Sequence, residues 1–246
     1  MLIVTVDLDW AAEAAIEETL DYLQDRRIIP TVFATHRSSR VESSLHEIEV
    51  GLHPFFHPSS SHGKTLEEVV DSVMSIPHNI PAFRCHRYAT CNESNNQMIQ
   101  AGMKVASNIC TNLEIVCPFI DRLGLIQVPI YFEDGGYLWN YDLVKTTFQV
   151  VEEAIIVINI HPMHFVVNTP FFDYMVQIKK QFTRENWIGM SRKQLDNLKY
   201  KGKGIRQVII GLIDSFKETD ALFRSIAKSP QFSIKIGKGN VLNARQ

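Results

Sequence analysis

The chain has 246 residues, 45% of them hydrophobic and 21% charged, with 25 Lys and Arg against 27 Asp and Glu for a formal net charge of -2. That length can bury a substantial core in one large α/β domain, and, apart from a short "KYKGKGIR" run near residue 200, the basic residues are too scattered for a nucleic-acid-binding face. Apolar runs stop short of the roughly 18 residues of a membrane span. The opening "MLIVTVDLDW" lacks the basic start and cleavage site of a secretory signal, and Cys85, Cys91, Cys110 and Cys117 lack paired metal or redox spacing. A reducing cytoplasm is the expected compartment.

In chain order, "LIVTV" (2–6) is predicted as a buried strand, followed by a helix over 12–26 in which Ile16, Leu20 and Leu23 recur at helical spacing. "TVFAT" (31–35) and "HEIEVGLH" (46–53) are further strands, 65–76 is helical, "PAFRC" (81–85) is a short extended piece, and 91–102 is helical. "KVASN" (104–108), "LIQVPIYFED" (125–134) and "EAIIVINIHP" (153–162) are strands, the last nearly all apolar, as in a strand covered on both faces. Helices over 170–182, 191–199, 203–216 and 218–228 follow, with "FSIKI" (232–236) as a closing strand. This alternation argues for βα units around a mostly parallel sheet or barrel. With no internal repeat or linker, 1–246 reads as a single domain.

In such folds catalytic side chains gather at the carboxyl ends of strands. Asp7 and Asp9 end the first strand and, two apart, point to one face, where like charges are costly unless a cation or proton separates them. The bland alternative makes Asp9 a helix cap. His53 and His57 are each followed by a proline, which disfavours helical geometry and places the pair in a loop. Two neutral imidazoles and one carboxylate suit a divalent metal with an open position, so Asp9, His53 and His57 are the expected ligands. Arg84, at a strand end, either pairs with a surface acid or holds an active-site carboxylate. His161 ends the most apolar strand, either as a satisfied strand-end histidine or as a site residue, and His164 shares that ambiguity. "EDGGYLW" (133–139) brings Asp134 and Trp139 to the same end. Cys85, between Arg84 and His86, is expected to be a small buried cysteine rather than a reactive thiol.

The ordered set "TVDLDW", "HPFFH", "FRCHRY", "EDGGYLW" and "INIHP" resembles the five motifs of the polysaccharide deacetylases with the NodB homology domain, carbohydrate esterase family four, over residues 3–165. The resemblance implies a distorted (β/α) barrel of about seven strands, with Asp7 as base, His161 as acid and Arg84 orienting the base. It implies one divalent metal ion, zinc with cobalt, nickel or manganese as alternatives, on Asp9, His53 and His57. Tyr88, Asp134 and Trp139 are the expected substrate contacts, with a backbone N–H near Tyr88 as oxyanion donor. The implied reaction hydrolyses an N-acyl group, acetyl or formyl, from an amino sugar in surface-polysaccharide biosynthesis; the expected substrate is an N-acylated sugar as a nucleotide-linked or lipid-linked saccharide. Leu8 separates aspartates that are adjacent in most of the family, and Cys85-His86-Arg87-Tyr88 replaces a segment that usually carries proline and glycine. These variants, with "HPMHFVVNTP" (161–170), are similar to the WbmS-like branch.

Two rivals remain. "VDLDW" is similar to the paired aspartates of chitinase-type glycosidases, but the position of their proton donor is Ala11 here. A catalytically inactive NodB-fold sugar-binding protein fits the altered arginine motif, yet would have no use for Asp7 and His161 together.

Overall fold

The computed structural model describes residues 1–141, 143, 148, 154–216 and 218–228. Nine strands are found among them: β1 (Leu2–Asp7), β2 (Thr31–Ala34), β3 (Glu49–Leu52), β4 (Ala82–Phe83), β5 (Val105–Ala106), β6 (Phe119–Ile120), β7 (Ile126–Gln127), β8 (Phe132–Glu133) and β9 (Ile156–Ile160). They hydrogen-bond in the order β6-β7-β5-β4-β3-β2-β1-β9-β8. Every pair is parallel except β6 with β7.

The two ends of this order belong to one extended run, 126–133. Its Val128 N–H donates to Ala106 on the β5 side, and its Tyr131 N–H donates to Val157 on the β9 side. The run therefore joins the sheet's two ends and rolls it into a distorted (β/α) barrel. Pro129 has no N–H to give the ladder, so the single strand expected over 125–134 is two short pieces. Counting that run once and setting aside the antiparallel β6, seven parallel strands surround the barrel.

Residue alternation separates the two faces of the wall. Leu2, Val4 and Val6 join the outer core with Ala15, Ile16, Leu20 and Leu23 of the helix Glu13–Asp25. Ile3, Phe33, Ala82, Val105 and Val157 face inward, in one cluster with Phe223 and Ile226. Two residues further along the strands the inner face turns polar, at Thr5, Arg84 and Asn159, all fully buried. Two further still come Asp7, His86 and His161. The barrel is thus apolar at the amino ends of its strands, hydrogen-bonded in the middle and chemical at the top.

The helices expected after β1, β3 and β4 and beyond residue 170 appear with trimmed ends. The capping box of Thr65 and Glu68 starts Leu66–Met74. Short helices at Ser39–Ser43, Asp134–Asn140, Pro162–Val167 and Arg184–Ile188, too brief for a hydrophobic period to register, were not expected. The expected strand at 232–236, and residue 153 of the last predicted β-run, lie outside the described residues. No described helix is long and apolar enough to cross a membrane.

Candidate active site

Arg84 is the anchor. Fully buried, it donates from Nη1 to Asp7 Oδ1 at 2.8 Å and Asn159 Oδ1 at 2.6 Å, and from Nη2 to Ser107 Oγ at 2.8 Å. Asn159 Nδ2 donates to the other Asp7 oxygen at 2.8 Å. A buried guanidinium is tolerable only with such full pairing, and the result is a carboxylate clamped in one orientation.

Beyond β1 the chain enters the left-handed region at Asp9 (φ 48°) and Trp10 (φ 54°), and the Asp9 side chain lies over the barrel mouth. Its Oδ1 lies 3.0 Å from His53 Nε2 and 2.8 Å from His86 Nδ1. His86 is brought there by backbone ties between neighbouring segments: Arg84 N–H donates to Leu52 and His86 N–H to Pro54. Among the described residues, Asp9, His53 and His86 form one of two groups able to hold a metal ion, their ligand atoms all within 4.8 Å of one another.

The second group is Glu133, Asp134 and His161. Asp134 is fully buried; its Oδ1 sits 2.5 Å from His161 Nδ1 and its Oδ2 accepts the His161 N–H at 2.7 Å. With Nδ1 engaged, His161 turns Nε2 to Asp9 Oδ2 at 3.4 Å. Glu133 accepts from the N–H groups of Gly135 and Gly136, the start of the helix Asp134–Asn140. A Cβ on either glycine would lie 2.8 Å from a Glu133 oxygen, which explains the "EDGG" sequence.

Burial opposes the charge on both His161 and Asp9. Yet Asp134 and Asp9 hold the His161 imidazole well above its ordinary range, and His161, His53 and His86 hold the Asp9 carboxyl well below its own. Burial, with the adjacent Asp134 charge, pushes Glu133 up to about 7, and burial pushes His164 down to about 4. The site therefore has one charged histidine, His161, beside a neutral one, His164.

Asp7, Asp9, His53, His86, Glu133 and His161 line a cavity of about 790 Å³ with Trp10, Phe55, Tyr88, Trp139 and Lys179 along its walls. The structure brings together Asp7, Asp9, His53, Arg84 and His161. It does not bring His57, expected as a ligand. His57 is exposed, hydrogen-bonded through Nδ1 to Ser59 at 2.7 Å and stacked on Phe55 at 5.2 Å. His86 also lies against that ring, at 4.7 Å, so His57 and His86 both pack against Phe55 while, of the two, His86 reaches Asp9.

Two further expectations are corrected. Asp134 is not open to substrate, because both its oxygens are turned to His161. The Tyr88 N–H donates to the Cys85 carbonyl at 2.8 Å in a 3-10 turn, so the oxyanion donor expected near Tyr88 is not that residue's own N–H, although the residue lines the cavity. Trp139 stands on the cavity rim, 68% exposed. Cys85 is buried, its thiol pushed up to about 12 by desolvation.

Sequence reasoning missed His86, Asn159 and Glu133. A polar residue inside an otherwise apolar strand was a usable signal for Asn159; His86 had none beyond its neighbour Arg84.

The family profile described as WbmS-like polysaccharide deacetylase matches residues 4–179. Among solved structures, a candidate polysaccharide deacetylase involved in O-antigen biosynthesis from Bordetella bronchiseptica superposes with a TM-score of 0.74 at 21% identity, over 87% of this chain and 89% of that one. A candidate polysaccharide deacetylase from Mycobacterium smegmatis gives a TM-score of 0.46 at 12% identity, over 80% and 90%. No curated protein matches.

Proposed function

Because the chain belongs to the WbmS-like polysaccharide deacetylase family, we propose that it is a metal-dependent amidohydrolase removing an N-acyl group, acetyl or formyl, from an amino sugar. The observation that carries this reading is the placement of a clamped carboxylate and a charged imidazole around Asp9. Asp7 is clamped in one orientation by Arg84 and Asn159, and His161 is held as a cation by Asp134.

One carboxylate and two imidazoles are a donor set for zinc, cobalt, nickel or manganese. The separations of 3.0 and 2.8 Å from Asp9 Oδ1 are near the roughly 3.3 Å edge of a tetrahedron with ~2.05 Å bonds, so Asp9, His53 and His86 fit the ion. When bound, a divalent cation supplies Lewis-acid polarisation of the acyl carbonyl and acidifies water.

The chain's own groups do the rest. Asp7 takes the proton of the attacking water; its two hydrogen-bond donors keep it aimed. His161, with Nδ1 fixed by Asp134, carries a proton on Nε2 and gives it to the departing amine. The products are a free amino sugar and a carboxylic acid. Trp139 offers its exposed ring as a platform for the apolar face of a sugar. Acting in the cytoplasm, such an enzyme would meet nucleotide-linked or lipid-linked saccharides rather than finished polymer.

The test is metal content by plasma mass spectrometry on untagged protein, read beside acid release from N-acetylated and N-formylated amino sugars. Wild type should hold about one divalent ion per chain, His86→Ala should lose it, and His57→Ala should keep it. Asp7→Asn should keep the ion and lose about 10²–10⁴ in kcat. An ion lost in His57→Ala but kept in His86→Ala would refute the ligand set. Wild type that binds sugar, holds no ion and releases no acid would favour the sugar-binding reading.

A further inference from the structure

Three cations at the mouth of the cavity have no role in the chemistry above. Arg87, Lys179 and Arg184 all line it, and all are exposed. Each lies over an aromatic ring: Arg87 over Phe55 at 5.8 Å, Arg184 over Trp10 at 4.7 Å and Lys179 over Trp187 at 5.4 Å. None of the three forms an ion pair with a carboxylate among the described residues.

The seats are connected. Trp10 and Phe55 meet edge to face, ring centroids 6.1 Å apart, so one aromatic pair carries both guanidinium groups. Arg184 and Trp187 share the helix Arg184–Ile188, which brings the Lys179 seat to the same wall. Arg184 also donates to Ser61 at 2.7 Å, pinning one end of its fork. Arg87 sits in the left-handed region, φ 57°, where a non-glycine residue costs conformational energy that its surroundings must offset.

Three like charges around one opening repel, and a ring face attracts a cation without neutralising it or consuming its N–H donors. Such an arrangement is stabilised when an anion enters. Three cations also exceed what a single carboxylate needs. We infer that this rim binds the phosphate or diphosphate group of a phosphorylated sugar, holding it beside Trp10 while the N-acyl group reaches Asp9. This inference rests on the proposed function for the identity of the sugar end, but its own evidence is the cationic rim.

Isothermal titration with inorganic pyrophosphate isolates the rim from the chemistry, with metal content read in each protein. Wild type should bind in a salt-sensitive manner. The double variant Arg87→Ala/Arg184→Ala should bind about tenfold or more weakly, as should Lys179→Gln, since a hydrogen bond to a charged group is being removed. Uridine diphosphate and a short prenyl diphosphate, compared with pyrophosphate, distinguish the carrier: tighter binding of one identifies a nucleotide or a lipid, and equal binding means that the phosphates alone are read. Absent binding in wild type, or equal affinity in wild type and variants holding the same metal, would overturn the inference. Failure to release acid from any N-acylated sugar would overturn the proposed function while leaving a pyrophosphate result intact.

Discussion

Asp134 and His161 show how a single contact sets a protonation state. The folded pKa of His161 lies above its ordinary value, because Asp134 and Asp9 outweigh the burial that opposes its charge. Stabilisation from that shift is fully present below about 6.5 and is lost as pH rises through the folded value. The folded pKa of Asp134 is lowered, since the His161 charge and hydrogen bonds outweigh its burial. Its contribution is present above about 3.9 and is lost as pH falls through the folded value. The stability gap between wild type and Asp134→Asn should therefore be widest from about pH 4 to 6.5 and narrow on the alkaline side. Urea denaturation across a pH series measures it; a gap unchanged up to strongly alkaline pH would contradict the pairing. At this scale the sequence was only partly legible. The aspartates, His53, Arg84 and His161 announce themselves as polar residues at strand ends, whereas choosing between His57 and His86 required the path of the loop around Phe55.

Short elements at the barrel mouth depend on close backbone approaches. The helix Asp134–Asn140 begins under the Glu133 carboxylate, and a Cβ on Gly135 would meet the tip of that side chain at 2.8 Å. Gly135→Ala should push the Glu133 carboxylate off its cap at a cost of about 1 kcal/mol, offset by the roughly 0.5–1 kcal/mol of helix propensity that alanine adds, so Tm should change by less than about 2 °C. Gly211, in the helix Ile205–Asp214, is the opposite case: nothing lies within 4 Å of a Cβ there, and the residue is exposed. Gly211→Ala should raise stability by about 0.5–1 kcal/mol through helix propensity. Calorimetry on the two variants checks the contrast: a clear rise for Gly211→Ala beside little change for Gly135→Ala. The "EDGG" sequence marked a turn at this point; that its glycines accommodate a carboxylate is a matter of three-dimensional distance.

For the whole molecule, the end of the barrel opposite the site is closed by chain from the far C-terminal side. Glu49, first residue of β3, accepts from Phe223 and Arg224 N–H groups at 3.1 and 2.8 Å, and Asp220 N–H donates to Leu2. Phe223 is fully buried against Phe33, ring centroids 5.5 Å apart. Phe223→Ala should cost about 3–5 kcal/mol by leaving a cavity in the barrel interior. Since Phe223 clusters with the amino ends of the strands and the active-site groups sit at their carboxyl ends, kcat below the lowered Tm should change little. Thermal melts with activity assays test this, and a loss of activity at temperatures where the variant is folded would show that the two ends are coupled.

What the sequence by itself determined is the set of features that depend on local order: a strand-helix alternation, polar side chains at the ends of several apolar strands, and a motif series that resembles the family. These follow from periodicity and from the cost of placing charge among apolar neighbours, both written residue by residue. Tertiary structure alone decided how the run 126–133 closes the barrel, which histidine joins His53 at Asp9, that Asp134 serves His161 rather than substrate, and that three cations share one aromatic wall. Each of these depends on distances between segments far apart in the chain, and no local pattern encodes such a distance.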